Sequence, residues 1–163
     1  MKKIILIRHG KSAWNNPFLQ DHDRPLAERG LRDAPKMAMR LKNRDVKPDL
    51  FLTSTANRAM KTAEITAEVL GLPVKIIHSE PQLYHASPEI ILKIIRNQND
   101  KYKTILVFGH NPGFNYFIEL MGEDINNLPT SGQFGFTFKT EKWENISPQN
   151  ASFWFFDFPK KST

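Results

Sequence analysis

The chain has 163 residues, 40% of them hydrophobic and 25% charged, and its 23 lysines and arginines outnumber 17 acidic residues for a net charge of +6. That length predicts one domain over residues 1–163, large enough to bury roughly 68–70% of the unfolded chain's surface without covalent staples. The absence of cysteine excludes a disulfide framework, a thiol nucleophile and a cysteine-ligated zinc or iron–sulfur centre. No stretch reaches the ~20 apolar residues of a transmembrane helix. The charged start Met1-Lys2-Lys3 leads into four aliphatics, shorter than the apolar region of a signal peptide, so a cytoplasmic protein without membrane contacts is expected. Net positive charge suits an anionic partner. It is spread along the chain, however, with modest concentrations at residues 40–47 and 160–161, and a surface that merely maintains solubility accounts for most of it.

The elements follow one another without repeats, low-complexity segments or a Gly/Ser linker. Residues 4–7 form a continuous aliphatic run, the pattern of a strand buried on both faces, which stops at Arg8-His9-Gly10. From Leu26 to about Arg44 the positions Leu31, Ala34, Met37, Ala38 and Leu41 recur at helical spacing, with Pro35 set to disturb an interior turn. Residues 50–52 predict a second strand ending at Thr53-Ser54. Ser54 or Thr55 then caps a helix to Leu70, stopped by Gly71. Residues 74–77 predict a third strand, and Pro88 opens a helix to about Arg96. Residues 105–108 form a fourth strand, followed by Gly109-His110. Asn111-Pro112 reads as the cap and first residue of a helix to about Met121. Two aromatic runs, residues 134–138 and 152–158, close the chain as strands, the second expected to be covered on both faces.

Buried aliphatic strands alternating with helices predict an α/β three-layer sandwich, with a mostly parallel central sheet and helices on both faces. Ligands in such folds bind beyond the carboxyl ends of the strands. Strand one delivers Arg8 and His9 to that edge, strand four delivers His110, and the helix after strand two carries Arg58 in its first turn. Two arginines, two histidines and helix N-termini therefore converge. Each alone is an unremarkable strand-end residue, but their joint placement fits a phosphoryl group, whose oxygens match arginine forks.

These residues resemble the histidine phosphatase superfamily, with its phosphoglycerate mutase-like fold, and more narrowly the SixA-type phosphohistidine phosphatases. The matching segments are Leu6-Ile7-Arg8-His9-Gly10-Lys11-Ser12, Asp23-Arg24-Pro25-Leu26 with Gly30, and Ser54, Arg58-Ala59 and Thr62-Ala63. Gly109-His110-Asn111-Pro112 and Leu128-Pro129-Thr130-Ser131-Gly132 follow in order. The resemblance implies a hydrolase in which His9 takes the phosphoryl group while Arg8, Arg58 and His110 hold its oxygens, and it matches Asn15 to a phosphate-contacting asparagine. Neighbouring arginines would keep His9 neutral and stabilise charge in transfer, so no metal or cofactor is required. Asp21-His22-Asp23 offers three donors on paper, but adjacent residues rarely converge on one ion and a polar loop is expected there.

One departure bears on substrate. Where the larger relatives place an acidic proton donor, counting from Leu83 through Tyr84 gives His85, a candidate donor of a different kind. A basic alkoxide needs a proton to leave, whereas imidazole, with an ordinary pKa of about 6.5, leaves readily. The expected substrate is therefore phosphohistidine on a protein such as a histidine-phosphotransfer domain, with no nucleic acid involved. The alternatives are a broad-specificity phosphomonoesterase for small metabolites and a non-catalytic phosphate or nucleic-acid binding module.

Overall fold

The computed structural model describes residues 1–162. A six-stranded sheet runs in the order β3-β2-β4-β1-β5-β6. β1 (Lys2–Arg8), β2 (Leu50–Thr53), β3 (Ile77–Ser79) and β4 (Thr104–Gly109) are mutually parallel, whereas β5 (Gln133–Phe138) and β6 (Ala151–Asp157) add an antiparallel flank. Period-two alternation on β1 divides the core. Ile4 and Leu6 pack with Ile91, Ile95, Phe114 and Phe117 of α3 (Pro88–Arg96) and α4 (Gly113–Leu120). Ile5 and Ile7 face the other way, onto Leu41, Ala63 and Ala67 of α1 (Glu28–Asn43) and α2 (Asn57–Val69). The predicted three-layer α/β sandwich is the observed one. No helix among the described residues is long and apolar enough to cross a membrane.

The structure corrects five expectations. Pro35 does not break α1, which runs unbroken from Glu28 to Asn43. An interior proline costs about 3 kcal/mol, and burial of Met37 and Leu41, at about 1.5–3 kcal/mol each, outweighs it. Residues 74–76 form a 3-10 turn after Pro73, so the third strand begins only at Ile77, where pairing with Phe51 starts. Neither Ser54 nor Thr55 caps α2; Ala56 occupies that place without a side-chain bond, and Pro112 rather than Asn111 precedes α4. β6 is an edge strand whose Phe155 and Trp154 pack on one face and Phe156 on the other, but Phe153 is 51% exposed, so the expected double cover is incomplete.

Candidate active site

The carboxyl ends of β1, β2 and β4 meet at one edge, as the sequence predicts. His9 follows β1 and is 8% exposed; His110 follows β4 and is 7% exposed, with the two ring centroids 5.1 Å apart. The His9 Nδ1 lies 2.7 Å from the Gly10 carbonyl oxygen. A carbonyl only accepts, so Nδ1 carries the proton and Nε2 presents a lone pair. Arg58 Nε approaches that Nε2 at 3.4 Å. Burial, followed by the charges of Arg58, Arg8 and Arg24, holds the His9 pKa down at about 4 against the opposing pull of the Gly10 carbonyl. His110 pairs its Nε2 with Ser54 Oγ at 2.8 Å. Burial first, then His9 and Arg58, lowers its pKa to about 3. Both imidazoles are neutral at physiological pH.

Arg58, 5% exposed, is fixed from behind by Asp21: its NH1 donates to the Asp21 carbonyl oxygen at 2.6 Å and its NH2 to Oδ2 at 3.0 Å. The same carboxylate accepts from Arg24 NH1 at 2.8 Å and from the Tyr84 hydroxyl at 2.5 Å. The Tyr84 bond, followed by Arg58 and Arg24, holds Asp21 well below the usual carboxylate range, so it stays anionic and cannot donate a proton. Arg24 also donates to Ser12 Oγ and stacks on the Trp14 ring. Arg8 donates to the Leu128 carbonyl at 3.0 Å. Its buried Nε has no partner, and neither does the buried hydroxyl of Ser131. Of these two, only Arg8 is a residue of the cavity wall, where its guanidinium can meet an anion.

These side chains line a cavity of about 240 Å³ whose wall includes Arg8, Lys11, Arg24 and Arg58, both imidazoles and His85, but no carboxylate. Four cations around a neutral nucleophilic nitrogen suit a dianionic phosphoryl group. A Cβ on Gly30 would lie 2.4 Å from the Lys11 carbonyl oxygen, so glycine lets α1 press against the loop that follows His9. The sequence thus predicted Arg8, His9, Arg58 and His110 together, and the structure brings them together. His85 reaches the same cavity, exposed, with its ring 6.3 Å from that of His110. Asn15 does not: it is exposed and outside the lining. Sequence reasoning gave Asp21 to a polar loop, gave Tyr84 no role, and named Ser54 only within a matching segment and as a possible cap, not as the partner of His110. The i,i+3 spacing of Asp21 and Arg24 was the available signal for the first.

The fold is an α/β sandwich with two imidazoles among cations at the strand ends, and comparison with known proteins shows what it resembles. The sequence profile of the histidine phosphatase superfamily (branch 1) matches residues 4–80. An uncharacterised chloroplastic protein of Arabidopsis thaliana is 35% identical over 121 residues, covering 69% of this chain; the chain spans 56% of that relative's length. SixA from Agrobacterium tumefaciens superposes with a TM-score of 0.82 at 29% identity, covering 97% of this chain and 99% of its own. A second structure, the protein histidine phosphatase SixA complexed with tungstate, gives 0.83 at 25% identity over 96% and 97%. The chain thus resembles the histidine phosphatase superfamily over residues 4–80 and the SixA structures over nearly its whole length.

Proposed function

We propose that this chain is a single-domain, SixA-like protein phosphohistidine phosphatase of the cytoplasm that works through a phosphorylated His9. The observation that carries the reading is a buried imidazole whose Nδ1–H is held by the Gly10 carbonyl, leaving Nε2 as the acceptor facing Arg58, in a cation-lined cavity whose wall holds no carboxylic acid. His9 Nε2 attacks phosphorus as the substrate P–N bond breaks. The substrate imidazole, carrying a proton on its distal nitrogen, leaves as a neutral molecule, so no strong enzyme acid is needed. Arg8, Arg58 and His110 hold the equatorial oxygens, where charge is spread in the transition state. The phosphorylated His9 ring bears positive charge, which its Nδ1–H bond to the Gly10 carbonyl favours. Water then supplies the fourth oxygen, the P–Nε2 bond breaks, one water proton leaves with the phosphate or to solvent, and His9 returns with Nδ1 protonated.

Asp21 has a positioning role, since its carboxylate fixes Arg58 and Arg24. His85, at the cavity wall, is the candidate donor of the proton that the substrate imidazole carries on its distal nitrogen. The test is phosphate release from a phosphorylated histidine-phosphotransfer domain, with an alkyl phosphate monoester in parallel. Release from the phosphoprotein alone, abolished in His9→Ala, is expected. Equal or faster turnover of the ester would instead favour the small-metabolite phosphomonoesterase.

A further inference from the structure

Part of the chain's basic excess lies beside the cavity mouth. A second, open cavity of about 320 Å³ is lined by Arg29, Arg32 and Lys36 of α1 and by Lys160 of the C-terminal segment. Thr130 lines both cavities, so this basic wall continues directly from the catalytic one. Positions 29, 32 and 36 fall on one face of α1 and extend for about 10 Å along it. Two carboxylates lie on this stretch: Glu28 is exposed, whereas Asp33 is buried and bonded by Arg32 Nε at 3.1 Å. The Lys36 ammonium donates to the Pro159 carbonyl at 2.8 Å, which fixes its place without cancelling its charge. Among the described residues Arg29, Lys36 and Lys160 have no ion-pair partner.

We propose that this face, Arg29, Lys36 and Lys160 with Arg32, docks an acidic surface of the phosphoprotein substrate; the inference rests on the phosphohistidine reading above. A catalytic cavity of about 240 Å³ takes in a phosphorylated side chain and little more, so the rest of a protein substrate lies across the rim. The basic face is that rim on the Thr130 side. Its cations are exposed and strung along a helix, an arrangement that meets an extended partner surface rather than enclosing a small anion. No buried unpartnered donor occurs on this wall, in contrast to Arg8 Nε in the catalytic cavity. A nucleic acid would be served by exposed rings for base stacking, and the one aromatic ring here, Phe158, is half-buried. Complementary charge at an interface rim acts chiefly on encounter rate and salt dependence.

The test compares wild type with the charge-reversed R29E/K36E/K160E protein on two substrates: an acidic phosphorylated histidine-phosphotransfer domain and free phosphohistidine. For the phosphoprotein at low salt, kcat/KM should fall about 10-fold or more, through KM with kcat retained. The wild-type value should decline with added salt and the variant's should not. Turnover of free phosphohistidine should be the same in both proteins. Unchanged kcat/KM on the phosphoprotein, or an equal loss on both substrates, would overturn the docking assignment while leaving the phosphatase reading intact. So would inhibition by a short single-stranded RNA that the variant escapes while its KM for the phosphoprotein stays at the wild-type value. A wild type idle on both substrates would remove the phosphohistidine reading, and the docking assignment with it.

Discussion

Two imidazoles buried among arginines should make this protein acid-sensitive by a calculable amount. In the unfolded chain both histidines take up a proton near pH 6.5, whereas in the fold His9 does so only near pH 4 and His110 near pH 3. Both folded values are depressed, so this contribution to stability is fully present above pH 6.5 and is lost as pH falls toward the folded values. Between pH 7 and pH 5 each group withdraws about 2 kcal/mol, and the pair about 4 kcal/mol. That is a large share of the ~5–15 kcal/mol typical of a domain. Urea unfolding at pH 7 and pH 5 should therefore show the loss shrinking by about 2 kcal/mol in His9→Ala and by about 4 kcal/mol in His9→Ala/His110→Ala. The carboxylates contribute equally to all three proteins and drop out of the comparison. An identical pH-dependent loss in the three would mean that the imidazoles titrate normally, and the argument for a neutral His9 would fail. The same depression places the acid limb of kcat/KM well below pH 6.5.

Other perturbations separate holding from reacting. Asp21→Asn removes a charged acceptor from Arg58 and Arg24; kcat/KM should fall about 10–100-fold through misplaced guanidinium groups. Because the Asp21 side chain is 43% exposed, chemical denaturation should show only about 1–2 kcal/mol of lost stability. Ser54→Ala deprives His110 Nε2 of its partner and should lower kcat about 10-fold in steady-state assays while leaving thermal stability within about 1 kcal/mol. In Gly30→Ala the new methyl would meet the Lys11 carbonyl at 2.4 Å, so both stability and activity should drop, stability by about 1–3 kcal/mol on a denaturation curve.

The parts of this molecule that were legible in the sequence are those determined by local pattern. Continuous aliphatic runs ending at Arg8-His9 and Gly109-His110 identified β1 and β4, their adjacency in the sheet then following from the register that pairs Arg8 with Gly109. Pro88 marked the start of α3, and the structure adds a cap, with Ser87 Oγ accepting from the Ile90 amide at 3.2 Å. The third strand was placed early because Val74 and Ile76 look like strand residues, yet what sets the strand is a long-range partner, Phe51 opposite Ile77. Likewise β6 has the composition of a buried strand, and only its position at the end of the sheet leaves Phe153 uncovered. Asp21 was the main omission at the site. Its bonds reach Arg58 and Tyr84, 37 and 63 residues away, and no local spacing encodes such contacts. Ser54 stood among the matching residues and as a possible helix cap, but its pairing with His110, 56 residues away, was not legible from either.

The central claim, that His9 carries the phosphoryl group, is tested most directly by rapid quench of the enzyme with a phosphorylated histidine-phosphotransfer domain into alkali, followed by mass spectrometry of the digested protein. A transient phosphoryl adduct on the peptide containing His9, formed and consumed within one turnover and absent from His9→Ala, is predicted. Phosphate release at the full wild-type rate with the adduct on another residue, or with phosphate still released by His9→Ala, would contradict the account.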